Sequence, residues 1–93
     1  MTNEAEQLLF AVAKDRTGKG SIQRFGSLEE MTIRAGGKDF LLPNTTQNTP
    51  ETRARWEAAI EELEQERLIK RRTGTSFSLT DKGFNAANTL SAL

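Results

Sequence analysis

Residues 49–66, TPETRARWEAAIEELEQE, constrain the fold of this chain more than any other stretch. Thr49 can accept a hydrogen bond from a first-turn N–H. Pro50 has the fixed φ and missing N–H that suit the first helical position, and Glu51 meets the positive end of the helix dipole. Trp56, Ala59, Ile60 and Leu63 then recur at i, i+3, i+4 and i+7, the spacing of one apolar stripe. Glu57, Glu61 and Glu64 make the other side acidic and self-repelling, so it should stay in water. Glu51 and Arg55 stand four apart and predict a surface ion pair. A helix over 50–67 with one greasy stripe needs a second layer, and the rest of the chain must supply it.

The segments around it are short and turn-rich. LIKRR–TG–TSFSL, residues 68–79, reads as a β-hairpin. Its register is open: a two-residue loop sets Leu68 beside Phe77 and Leu79, whereas a three-residue loop sets Ile69 there. A last helix starts after Thr80 as cap, with Leu79 and Phe84 as a hydrophobic staple and Phe84, Ala87, Leu90 and Leu93 facing inward. Ahead of the long helix, Ala5, Leu8, Leu9 and Val12 predict a first helix over 4–14, capped by Asn3, with Glu4 and Glu6 at its positive end. It stops in DRTGKG, where Gly18 and Gly20 permit a turn.

Residues 20–42 read as strands. SIQRF and MTIRA are joined through GSLEE, with Met31, Ile33 and Ala35 alternating against Thr32 and Arg34. Gly36-Gly37 favours a tight reversal into KDFLL as a third strand. SLEEM is alternatively a short helix with Ser27 as cap and Glu30 completing a capping box. PNTTQNTP is a connector within a single domain spanning residues 1–93, since neither flank could fold alone.

Composition narrows the chemistry. The chain has 93 residues, 35% apolar and 28% charged, which fits an ordinary globule and not a disordered tail. It has no cysteine and no histidine, which removes disulfides, thiolate nucleophiles, sulfur-ligated zinc and the commonest general base. A catalytic site would have to be built from carboxylates, lysines and hydroxyls, so the chain is read as no enzyme, with no cofactor, metal or small-molecule substrate. Glu29, Glu30 and Asp39 do not supply enough oxygen ligands for calcium. LLFAVA is short and preceded by acids, unlike a signal peptide. No apolar run approaches the ~18–20 residues of a membrane span, and a cytoplasmic location is expected.

Net charge is zero, with thirteen cations and thirteen anions, which weighs against a dedicated nucleic-acid binder. The distribution is uneven. Residues 50–67 have a glutamate excess, whereas 68–93 carry Lys70, Arg71, Arg72 and Lys82 against Asp81 alone. An acidic helix runs straight into a basic hairpin.

Over residues 50–90 the run RWEAAIEELEQERLIKRRTGTSFSLTDKGFNAA resembles bacterial winged helix-turn-helix domains. In that family a helix ends in a Leu-Ile pair, here Leu68-Ile69. A wing follows, and the return strand enters Leu-Thr-acidic-Lys-Gly, here Leu79 to Gly83. The front half is similar to a subgroup in which strands and a Gly-Gly turn, here MTIRAGGKDF, precede a Trp-bearing helix, often attached to bacterial effector or regulatory proteins. The resemblance implies an α+β, winged-helix-like fold: three main helices, a small N-terminal β-hairpin or sheet and a C-terminal β-wing. The chain departs from the DNA-binding pattern in having no obvious second helix before the long one, and in the acidic side of that helix.

Two modes of action follow. One is a non-catalytic protein-recognition adaptor, inhibitor or regulator of bacterial or phage origin, using the acidic face of Glu57, Glu61 and Glu64 beside the basic wing to orient a partner protein. The other is a DNA-binding transcriptional regulator, for which a homodimer is expected. It would read double-stranded DNA with Thr52, Arg53 and Arg55 while Lys70, Arg71 and Arg72 touch phosphate. The bland alternative is that Arg53 and Arg55 pair with Glu51 and Glu57 and the wing cations are merely solvated. Trp56 fits the core better than an interface. Phe25, Phe40 and Phe77 fit an inner sheet face better than base stacking, and GGKD at 36–39 fits a hairpin turn better than a phosphate loop. The features together favour the protein partner.

Overall fold

A computed structural model describes residues 1–15 and 21–91 of the chain. The elements run in the order α1 (Asn3–Ala13), β1 (Ser21–Phe25), a 3-10 turn (Leu28–Glu30), β2 (Thr32–Ala35), β3 (Lys38–Leu41), α2 (Pro50–Gln65), β4 (Ile69–Arg71), β5 (Ser76–Leu79) and α3 (Asp81–Ser91). The fold is α+β: the described residues form three helices and one antiparallel five-stranded sheet in the order β3-β2-β1-β5-β4.

The α1 stripe is as the spacing predicts: Ala5, Leu8, Leu9 and Val12 are all buried. The cap is one residue earlier than expected, because Thr2 and not Asn3 accepts the Ala5 N–H, at 3.2 Å. α2 starts where the sequence signals it. Thr49 accepts the Thr52 N–H at 3.2 Å, with Pro50 at the first position. Thr49→Ala should cost about 1 kcal/mol and Thr49→Ser almost nothing, measured by thermal or urea unfolding.

The strands do not form two separate units. The predicted front strands and the C-terminal hairpin are joined through β1 and β5, which pair Ser21 with Ser78, Ile22 with Phe77 and Gln23 with Ser76. Ile22 also faces Ala35 on β2. Strand residues alternate between faces, so Ile22, Ala35, Ile33, Phe77 and Ile69 make one apolar layer, all buried. α1 lies over it, in contact with β1, β2 and β5, and α2 and α3 pack on α1. The opposite face carries exposed Gln23, Arg34, Lys70 and Arg72.

Inside this frame the open alternatives resolve. In the hairpin Ile69 pairs with Leu79 and Arg71 with Phe77, the register of the three-residue loop. Between β1 and β2 the chain forms a 3-10 turn, although the Ser27 side chain makes no cap hydrogen bond. The Gly36-Gly37 reversal is present; Gly36 has φ 58° and a Cβ there would lie 2.0 Å from the Ala11 carbonyl oxygen on α1.

Two aromatic expectations are corrected. Phe25 is 43% exposed, because it lies an odd number of residues from inward-facing Ile22 and so leaves by the open face. Phe84 is 45% exposed. α3 buries Gly83 and Ala87, with Ala86 and Leu90 half-buried, a stripe of mostly small residues turned one step from the predicted one. The turn at Gly18 and Gly20 and the inward place of Leu93 lie outside the described residues. Phe77 and half-buried Phe40 keep to the inner side, and Trp56 packs on Phe40 with ring centroids 5.3 Å apart.

Candidate functional site

The residues singled out by charge occupy α2 and the β4–β5 hairpin, which flank one shallow groove. Arg24, Glu57, Glu61, Glu64, Arg71 and Phe77 are among the side chains lining it. Strand parity decides which hairpin cations reach it. Ile69 and Arg71 leave β4 on the helix side, whereas Lys70 and Arg72 leave on the open face. Arg71 lies over the Phe77 ring, 4.8 Å from its centroid, and its Nε reaches Glu64 at 3.4 Å. Arg72 turns the other way and donates to the Ser78 hydroxyl at 2.8 Å.

The acidic helix is therefore partly neutralised from below. Arg24 on β1 pairs with Glu57, an ion pair that needs β1 beneath α2 and has no local signature. Both residues are partly exposed, so such a pair contributes at most about 1 kcal/mol. Its chief effect is to place positive charge beside the acidic helix. Glu61 is exposed and has no ion-pair partner among the described residues. The groove thus carries both signs of charge, with Glu57 and Glu64 paired to arginines and Glu61 left open.

At the amino end of α2 the candidate residues are tied down. Arg53 donates to the Asn48 backbone carbonyl at 3.0 Å and to its side-chain oxygen at 2.7 Å. Arg55 reaches the Thr52 hydroxyl at 3.4 Å in place of the predicted pairing with Glu51. Thr52 itself also accepts from the Thr49 hydroxyl at 3.0 Å. Thr52, Arg53 and Arg55 stay together, half a helix away from the hairpin cations.

The residue that sequence reasoning missed is Asn48. It is buried, and its amide nitrogen lies 3.0–3.1 Å from the carbonyls of Glu29, Met31 and Leu42. Three acceptors around one terminal atom and an arginine donor on the other fix the amide orientation. The Asn44 N–H adds a bond to Glu29 at 2.7 Å. Together these bonds hold the 3-10 turn, in which Leu28 has φ 51° and is 66% exposed. Asn48 sits in an Asn/Thr-rich loop where any of several polar side chains could have taken this role.

Among the described residues no three acids cluster as a metal site, and no helix is long and apolar enough to cross a membrane. Comparisons of the chain with protein-family profiles, curated proteins and solved structures find no match.

Proposed function

We propose that this chain is a non-catalytic protein-recognition module, an adaptor, inhibitor or regulator built on a winged-helix-like frame. The observation that carries this reading is the groove between α2 and the hairpin, where Glu57, Glu61 and Glu64 are brought together with Arg24 and Arg71. A partner with complementary charges would be held in one orientation and would reach it faster than a neutral one. A duplex would not. Its phosphates would approach α2 over carboxylates, and two of the three hairpin cations, Lys70 and Arg72, leave by the face away from that helix. Arg53 and Arg71 already have partners within the chain.

The test is a fluorescence-anisotropy titration of random-sequence duplex with the chain at low salt. No binding is expected up to tens of micromolar, the range in which non-specific DNA affinity ordinarily shows (~10⁻⁴–10⁻⁶ M). Binding that falls steeply with added salt would replace the protein reading with that of a DNA-binding regulator. Arg71→Ala would then weaken all sequences equally, and Arg53→Ala would relax base preference.

A further inference from the structure

β4 is an edge strand, and the hairpin ladder fixes which of its peptide groups are spare. Thr80 donates its N–H to Leu68 at 3.0 Å, and Arg72 donates to Ser76 at 2.8 Å. With Lys70 opposite Ser78 in the same register, the Leu68 C=O, the Lys70 N–H and C=O and the Arg72 N–H turn toward β5, while the Leu68 N–H is taken by Leu63 at 2.9 Å. Ile69 and Arg71 therefore turn theirs away from the sheet. A groove of about 450 Å³ runs there, lined by Glu64, Arg67, Ile69, Lys70, Arg71 and Thr80. Lys70 and Arg71 leave opposite faces yet both line it, so it opens along the rim of the strand.

The rim is cationic. Arg67 and Lys70 are exposed and have no ion-pair partner among the described residues, and Glu64 is engaged by Arg71. The other edge, β3, meets β2 with a register shift between Ile33 and Arg34, which spoils it as a template.

We propose that β4 accepts an extended acidic segment of a partner protein as a sixth strand. The N–H and C=O groups of Ile69 and Arg71 would bond its backbone, and Arg67 and Lys70 would meet its carboxylates. This rests on the protein-recognition reading and names the chemistry of the partner. A short, lysine-bearing edge strand is also how proteins prevent unwanted pairing, and the experiment separates the two.

The full chain, labelled with ¹⁵N, is titrated with an alternating glutamate–valine hexapeptide and with its lysine–valine counterpart. Amide exchange is followed by NMR. The acidic peptide should slow exchange at Ile69 and Arg71 at least tenfold and leave Lys70 and Arg72, already in the ladder, unchanged; the basic peptide should do neither. Arg71→Gln removes the charge, whereas Arg71→Pro also removes the outward N–H at an edge position that tolerates proline. The proline variant should bind the acidic peptide at least tenfold more weakly than the glutamine variant. Binding without protection at Ile69 and Arg71 would overturn strand addition while leaving charge-guided protein recognition standing. Absence of binding at millimolar peptide would overturn it too and assign the edge cations to preventing self-pairing. The duplex titration tests the underlying reading independently.

Discussion

Gly83→Ala is expected to destabilise the fold by about 2–3 kcal/mol, the range of core overpacking, although alanine is the better helix former by about 1 kcal/mol. The sign is set by what stands where the new methyl would go. A Cβ at Gly83 would lie 2.2 Å from the Leu68 carbonyl oxygen and 2.6 Å from Leu79 Cδ1. Leu79 could turn aside; the carbonyl could not, because it accepts the Thr80 N–H at 3.0 Å and shares the Thr80 hydroxyl proton with the Arg67 carbonyl, at 3.0 and 2.7 Å. The same hydroxyl accepts the Gly83 N–H at 3.0 Å. One oxygen thus joins the end of α2, the closure of the hairpin and the start of α3, and a methyl there must push α3 off its seat. Differential scanning calorimetry should show the midpoint falling by roughly 10–20 °C. A raised midpoint would mean that helix propensity outweighs this close approach.

This junction also accounts for the Leu-Thr-Asp-Lys-Gly run that stands out in the sequence. Thr80 is the cap and Gly83 the closest point of contact, so the run specifies how a hairpin hands over to a helix. It carries geometry and says nothing about a partner. The same contact turns α3 so that Gly83, Ala86, Ala87 and Leu90 face inward. A count of hydrophobicity puts Phe84 on that side, since glycine gives no signal of its own and a backbone contact is invisible to a pattern of side chains.

What was legible follows rules that act within a few residues. The α1 stripe, the Thr49-Pro50 start of α2 and the existence of the β4–β5 hairpin are all local, and each is present. Parity would also have excluded Phe25 from the layer that holds Ile22. The pairing of β1 with β5 was not legible, because both strands alternate acceptably against several partners and long-range pairing leaves no local mark. The candidate site inherits that gap. Without β1 beneath α2, nothing brings Arg24 to Glu57, and the helix reads as a bare acidic rod instead of one wall of a groove of mixed charge.

Asn48→Asp should cost about 3 kcal/mol, as much as a core truncation, although the two side chains have the same shape. The change leaves the oxygen that binds Arg53 in place and replaces the amide donor with an acceptor facing the carbonyls of Glu29, Met31 and Leu42. Glu29 keeps the Asn44 N–H and Leu42 keeps the Thr45 hydroxyl, so the lost donor falls chiefly on the Met31 carbonyl, at about 1–3 kcal/mol, and the added charge has to be solvated in a site that excludes water. The pairing with Arg53 recovers only part of this, since that arginine is already satisfied by Asn48. The loss should be confined in space before it becomes global. Amide exchange should accelerate first across residues 28–31 and 42–48, with the Leu28 turn relaxing from its left-handed conformation, while the α1 and β5 amides follow only the overall unfolding. Asn48→Ala should lose a similar amount of stability and leave the Arg53 guanidinium only its bond to the residue-48 backbone carbonyl. If Asn48→Asp instead unfolds within 1 kcal/mol of wild type, the buried amide does not hold the 3-10 turn against the start of α2.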